Sequence, residues 1–414
     1  MPLQSTQDDL DFDWQVPGAL GGDYLKRLQR LQKDAPIFWS RYQNAWVVTR
    51  HQDIVDGLRD LRLSNSRFHL PLEHYARTNG LPDGPLLGAV RNWVFNIDGP
   101  DHGRLRRLLM KPFGRSEIQK YQGVTKGLFE RILSSAEGRP QVEFVHEIAL
   151  PYAAGALAHI IGLDEAVDAR QMMDWSQAIG TVFGTGNANA QTLAVADRAI
   201  AELTPLLERE IAERRRKPRN DLMTAFVQIS EDGDQLNERE IVELFHVLLL
   251  AAFETTANTL TLSVAALDGS AARRDYVRAH PDRMTQIVEE LQRQVGMLNM
   301  MHRICAEDFE WHGSKLKRGD MVYFMLSAGN WDETVYPKPE EIDFDRERKI
   351  PLMFAPGLHH CIGHNLAKME LEIAISTLFD RYERVRVLTE EPRFAVNFIN
   401  RSFETLDVRF ESRR

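Results

Sequence analysis

Apolar residues recur at helical spacing through most of this chain, and the breaks in that rhythm divide it into elements. Tyr24, Leu25, Leu28 and Leu31 mark a short helix after an acidic, unpatterned lead-in over residues 1–20. Ile37 to Arg50 reads as a hairpin, with Gln43-Asn44 as its turn and Trp46-Val47-Val48 returning. After a short helix near 51–60, the stretch from Leu61 to Pro100 is rich in Pro, Gly and Asn and is expected to be a long irregular loop with a functional role. Its Leu87, Val90, Trp93, Val94 and Phe95 either face a substrate or anchor the loop to the core. Asp98 and Pro100 open the next helix, and Ser116 caps one with Ile118, Tyr121, Val124, Leu128 and Ile132 on a single stripe.

Helical patterns continue over residues 147–230, interrupted by a Gly- and Asn-rich turn from Gly180 to Asn189. Arg214 to Lys217 ends the second of these helices, where cations suit the helix dipole. Asn237 and Glu240 have capping-box spacing and open the longest pattern, which runs to about Leu267. Ile362, Leu366, Met369 and Ile373 place a further helix directly after a cysteine, and Phe398, Ile399 and Asn400 mark a terminal hairpin.

Composition narrows the class. With 43% apolar residues in 414, the chain can bury a large core. A formal net charge of −9 argues against a general nucleic-acid binder. The two cysteines, Cys305 and Cys361, form no disulfide framework, so a reducing cytoplasm is the expected setting. The first residues have neither a basic start nor an apolar core, and the run from Val247 to Phe253 is too short to span a bilayer.

The candidate chemistry centres on Phe354 to Gly363, which reads Phe-Ala-Pro-Gly-Leu-His-His-Cys-Ile-Gly. Gly357 and Gly363 flank Cys361 where a chain can fold tightly and approach a flat ligand without a Cβ in the way. The unpaired N–H groups of the helix that follows favour a thiolate, the metal-binding form of cysteine. Three readings fit these residues. Cys361 is an inert buried thiol, or a zinc ligand with His359, His360 and His364, or the axial ligand of a heme iron.

This stretch resembles the heme-binding loop of the cytochrome P-450 family. Phe354, Gly357, His359, Cys361 and Gly363 stand where that family has its phenylalanine, second glycine, propionate-binding basic residue, thiolate and final glycine, while Ala355 replaces the first glycine. Other family motifs follow in order. His102 and Arg106 match a His-x-x-x-Arg pair that binds a heme propionate. Ala251-Ala252-Phe253-Glu254-Thr255 resembles the central-helix oxygen-activation motif, with Ala252 in place of glycine. Glu290 and Arg293 match the buried Glu-x-x-Arg pair, and Arg303 matches a third propionate ligand. Met297 replaces a frequent proline, and Glu341 falls where an arginine or histidine often completes the Glu-Arg network.

The resemblance spans residues 20–412 and implies a mainly α fold with a small β-rich region, a single domain over 21–414. It implies heme b held by Cys361 and a monooxygenase using Thr255, with Glu254 relaying protons through water. The substrate is expected to be apolar, from a pocket of Trp93, Phe95, Leu248, Leu298, Met300, Met301 and Ile399, with residues 180–189 as the lid. Electrons are expected from an external ferredoxin or flavodoxin docking at Arg107, Lys111, His360 and Lys368, because the chain has no flavin or iron–sulfur motif. A heme-thiolate sensor or carrier without turnover is the alternative, suggested by the changes at Ala252, Met297, Glu341 and Ala355.

Overall fold

The capping box at Asn237 forms as its spacing predicts: Glu240 N–H donates to the Asn237 side chain at 3.0 Å, and Asn237 N–H donates to the Glu240 carboxylate at 2.8 Å. It launches the central helix. That helix is broken once, giving Glu238–Ala251 and Phe253–Asp268 on either side of Ala252. The computed structural model describes residues 11–413 except 12, 15, 17, 22, 67, 68, 185–187, 232 and 350. Residues 1–10 of the lead-in and 185–187 of the expected lid thus lie outside the described residues.

The second half of the central helix is walled in by the Leu150–Ile161, Met284–Val295 and His364–Arg381 helices. By length and composition the span Glu238–Asp268 could cross a membrane, but its apolar residues serve as the shared core of these neighbours. The β-rich side is a five-stranded sheet in the order Ile37–Ser40, Ala45–Val48, Met321–Phe324, Met301–Cys305, Leu63–Ser64. The expected hairpin supplies its edge, pairing Ile37 with Val48 and Trp39 with Trp46, and Asn44 takes the positive φ that the turn requires. A three-stranded sheet joins Tyr382–Val387, Asp407–Ser412 and Val142–Glu143.

Several expectations are corrected. The stretch from Leu61 to Pro100 is largely helical, with Leu70–Thr78 and Pro85–Val90 each begun by a proline in the first turn, where its missing N–H costs nothing. Ser116 caps no helix, since it lies inside the single turn Arg115–Ile118, and the longer helix begins at Gln122. The end of the lead-in is not loose: Trp14 and Leu20 are core residues, and Asp11 accepts from Ser40 Oγ at 2.8 Å. Arg214 stands in the last turn of its helix, as the cation run implied, but it does more there than face the dipole. It is fully buried and reaches Asp221 at 2.7 Å, Glu210 at 3.0 Å and the Gly162 carbonyl.

Glu290 and Arg293 form the expected buried pair, with Nε and Nη2 donating to the two carboxylate oxygens at 2.8 Å each. The remaining N–H groups of Arg293 go to the carbonyls of Asn330, Pro339 and Glu341, so all five donors are used. Arg346 completes the network by donating to Glu290 at 3.2 Å. Glu341 contributes only its carbonyl and turns its carboxylate outward to Lys338, which removes the like-charge conflict expected beside Glu290. Removing one partner of such a buried pair costs on the order of 3–5 kcal/mol, because the other charge is left uncompensated.

A second buried acid has no cation. Glu370, on the His364–Arg381 helix, is 2% exposed and accepts from Thr256 Oγ1 at 3.1 Å. Burial pushes its pKa up to about 8, with the Thr256 bond offsetting only part of the rise. The folded state therefore holds a proton that the unfolded chain has released, and stability is lost as the pH climbs from about 4.5 towards about 8. Glu370→Gln keeps the acceptor for Thr256 and removes this loss. Denaturant melts should show the variant more stable by about 2–3 kcal/mol at pH 8 and close to the parent at pH 5. A gap that does not widen with pH contradicts a neutral Glu370.

Candidate functional site

The cysteine loop follows the short turn Leu352–Phe354, and the next helix begins at His364, three residues past Cys361. Cys361 N–H donates to the Phe354 carbonyl at 2.8 Å, and His360 N–H to the Gly357 carbonyl at 3.1 Å, so the loop is closed on itself. Gly357 has φ +100°, and a Cβ there would lie 2.7 Å from the Leu58 carbonyl. Its requirement is thus the backbone turn and the helix behind it, rather than a ligand. Gly363 is the opposite case, for nothing lies within 4 Å of a Cβ built on it, which leaves the open face beside the cysteine that a flat group needs. Ala355 occupies a position with φ 49°, which costs an L-residue roughly 1–2 kcal/mol. Its buried methyl, packed with Leu58, Phe324 and Leu352, returns about 0.8 kcal/mol, so the departure from glycine is nearly neutral.

Burial raises the Cys361 thiol pKa, while the Gly363 N–H and the Arg106 charge work against that rise. Cys361 is nonetheless accessible to solvent although burial dominates its electrostatics, the combination expected of a residue that lines an internal space. The zinc reading does not survive the directions of the neighbouring rings. His359 Nε2 is turned to Asp98 at 3.1 Å, His364 Nδ1 contacts the Cys361 carbonyl at 2.9 Å, and among the described residues no three potential ligands gather as a metal site.

Cations without anions surround the same space. Arg303, on strand Met301–Cys305, is 2% exposed, and its Nη2 has no hydrogen-bond partner. Burial lowers its pKa to about 10, with Asp98 opposing. The pKa of Arg106 is also lowered by burial, and among the described residues it forms no ion pair, its one favourable charge being Cys361. One helical turn away, His102 is buried, and its ring lies tilted against that of His359 at a centroid distance of 4.0 Å. Burial, with His359 and Arg106 nearby, lowers the His102 pKa to about 4. Asp98, which the sequence offered only as a helix opener, ties this group together. It accepts from Ser64 Oγ at 2.6 Å, from the Asn65 and Ser66 N–H groups, and from His359. Burial works to raise its pKa, but the bonds from His359, Ser64 and Ser66 outweigh that and leave it well below the usual carboxylate range.

Across the space stands the break in the central helix. Ala251 is exposed although it ends a helix whose preceding turns are buried, and Ala252 is half-buried. Thr255 Oγ1 donates to the Ala251 carbonyl at 2.9 Å. Glu254 is buried enough that its pKa is raised, with Ser176 on the Ala169–Gly184 helix close enough to offset part of the rise, though the Ser176 hydroxyl lacks a partner in good hydrogen-bond geometry. A thiol on an open face, an orphaned guanidinium nitrogen, and a second unpaired arginine fit a flat, thiolate-ligated group bearing carboxylates, as heme does.

The remaining candidates divide. Phe95, Leu298, Met301 and Ile399 are partly accessible, whereas Trp93 and Met300 are fully buried and Leu248 nearly so. Trp93 packs edge-on to Phe95 at 5.5 Å and beside Phe183 at 5.7 Å, so it supports the pocket wall from behind. Met297 belongs to the core around Phe354. On the cysteine side Arg107 and Lys111 are exposed and share a concavity of about 440 Å³ with Met110, Ile229 and Ser230. The other two expected docking cations are corrected. Lys368 is committed to Glu289 at 2.7 Å, and His360, half-buried against His364, has its pKa lowered to about 4 by burial and is neutral at pH 7.

Comparison with known proteins agrees with this geometry. Residues 282–396 match the Cytochrome P450 family. The chain is 30% identical over 374 residues to Cytochrome P450 CYP107DY1 of Priestia megaterium, covering 88% of this chain and 90% of that one. It overlays the crystal structure of CalO2 with a TM-score of 0.86 at 26% identity, over 97% of this chain and 99% of the other. P450BioI, crystallised in complex with hexadec-9Z-enoic acid ligated acyl carrier protein, overlays with a TM-score of 0.83 at 25% identity, over 94% and 99% of the two chains. At this identity and coverage, and with its mainly helical fold matched over nearly its whole length, this chain belongs to the cytochrome P450 family of monooxygenases.

Proposed function

We propose that this P450 oxidises a largely apolar small molecule in secondary or catabolic metabolism, in the cytoplasm, with two electrons delivered by a separate ferredoxin or flavodoxin. The observation that carries the reading is the Glu254-Thr255 pair at the helix break, a proton-handling arrangement that a sensor or carrier without turnover does not need. Cys361 Sγ is the atom that would hold the iron, and His102, Arg106, Arg303 and His359 the groups that would hold the carboxylates. When bound, heme supplies the activation of dioxygen. Thr255 spends its own proton on the Ala251 carbonyl, which leaves its lone pairs to accept a hydrogen bond from the open side. Glu254 keeps its proton to higher pH than an ordinary glutamate, because burial disfavours its charge, which suits it to relay protons. Phe95, Leu298, Met301 and Ile399 exclude water and orient an apolar substrate. The acyl-carrier complex of P450BioI supports a carrier-tethered substrate as readily as a free one. Thr255→Ala should retain heme and ligand binding but divert electrons into hydrogen peroxide, with product per electron falling on the order of tenfold or more. Unchanged coupling would place proton delivery elsewhere.

Electron delivery follows from the exposed cations. Arg107 and Lys111, with Met110 at 46% exposure between them, and Leu358 at 56% on the cysteine loop, give a cationic and apolar face on a chain of net charge −9. Such a local exception steers an acidic partner and then offers it an apolar contact. Reversing Arg107 and Lys111 together to glutamate should slow heme reduction by an acidic ferredoxin about tenfold at low salt and flatten its salt dependence, with azole binding intact. An unchanged rate and salt slope would move the docking face.

A further inference from the structure

Asn299 has every polar group of its side chain committed, and those commitments run to three separate parts of the fold. It is 0% exposed. Its Oδ1 accepts from Tyr24 Oη and from Ser327 Oγ, each at 2.6 Å, and its Nδ2 donates to the Phe398 carbonyl at 3.0 Å. Its backbone N–H donates to the Ile399 carbonyl at 2.8 Å, and its own carbonyl accepts from Ser327 N–H at 3.2 Å. The turn it grips is built locally by Asn397, whose Oδ1 accepts from the Ile399 and Asn400 N–H groups at 3.0 Å each. A bridge between Leu298 and Asn400, and the bond from Arg401 N–H to the Met297 carbonyl, continue the seam on both sides.

The residues beside this seam are the partly accessible ones. Leu298 and Met301 flank Asn299 and Met300, which are fully buried, and Phe398 and Ile399 are half-buried across from them. Strand alternation puts Met301 on the same face as Arg303, whose Nη2 is the orphan donor of the site. On the P450 reading of the site, the segment Leu298–Met301 is one wall of the substrate space and the Phe398–Ile399 turn an adjoining wall. We propose that Asn299 is a positioning residue for substrate: it locks the Phe398–Ile399 turn to the Leu298–Met301 wall and so fixes the width of the pocket far from the cysteine. The proposal rests on the P450 reading of the site, and it concerns which molecules fit rather than whether oxygen is activated. The amide is suited to this task because it must both donate and accept. A carboxylate could still accept from Tyr24 and Ser327 but could not donate to Phe398, and an alanine would remove both the shared acceptor of the two hydroxyls and the donor to the Phe398 carbonyl.

The test uses the purified holoenzyme and optical titration with azoles of increasing size, namely imidazole, 4-phenylimidazole and econazole, in the parent, Asn299→Asp and Asn397→Ala proteins. Asn397 is half-buried, so its variant loosens the same turn from the outside if Asn299→Asp fails to fold. Imidazole should bind all proteins within about twofold, whereas econazole should bind the variants on the order of tenfold more weakly, the loss of about one hydrogen bond's worth of order in the wall. Tyr24→Phe, which breaks the tie to the N-terminal helix and leaves Phe398 held, should lower the melting temperature without changing the ratio of the two constants. A ratio that stays within twofold of the parent in both turn variants, or that moves equally in Tyr24→Phe, overturns the proposal. A parent protein that gives no heme-azole spectrum at all instead overturns the P450 reading beneath it.

Discussion

A guanidinium taken out of water must find an anion or enough carbonyls to replace its hydration, and the structure shows both outcomes and one shortfall. Arg293 reaches a carboxylate and three carbonyls, and Arg214 reaches two carboxylates and a carbonyl. Arg401 lies over the Tyr24 and Phe394 rings and donates to the carbonyls of Leu20 and Val295. Arg303 is as buried as these, yet among the described residues one of its terminal nitrogens reaches nothing and Arg106 forms no ion pair. Asp98, the carboxylate whose charge acts on Arg303, is already saturated by two hydroxyl or ring donors and two backbone N–H groups. The site is thus built with a deficit of negative charge, which the carboxylates of a heme would remove.

The rest of the architecture keeps that deficit where the cysteine can use it. Asp98 orients His359, and through the His359 ring it supports His102, so two expected propionate ligands depend on one half-buried aspartate. The Glu290-Arg293-Arg346 network fixes the segment leading into the cysteine loop by gripping its carbonyls at Asn330, Pro339 and Glu341. On the opposite side the break at Ala252 exposes Ala251 and gives Thr255 a carbonyl to hold its proton. Folding and chemistry are served by the same buried polar contacts.

What the sequence made legible was local. The Asn237 capping box, the 37–48 hairpin, the helix after Cys361 and the Glu290-Arg293 pair are written in neighbouring residues, and each forms as read. The misreadings came from contacts between distant residues. Nothing beside Lys368 announces Glu289, 79 positions earlier. Composition also misled: the proline and glycine content of 61–100 suggested irregular chain, yet those prolines start short helices. Asn299, Asp98 and Glu370 were passed over because their value lies in partners 99, 261 and 114 positions away, respectively. Positions where the family pattern changes were informative only once placed. Ala355 takes a positive φ at small net cost, and Glu341 works through its carbonyl, so neither disables the site.

The central claim is that Cys361 ligates a heme iron as a thiolate within this cationic cradle. The optical spectrum of the reduced protein under carbon monoxide tests it most directly. The account predicts the red-shifted absorption band of thiolate ligation in the parent protein and its loss in Cys361→Ala. Purified protein that carries stoichiometric zinc and no heme, or a band that persists in Cys361→Ala, would contradict it.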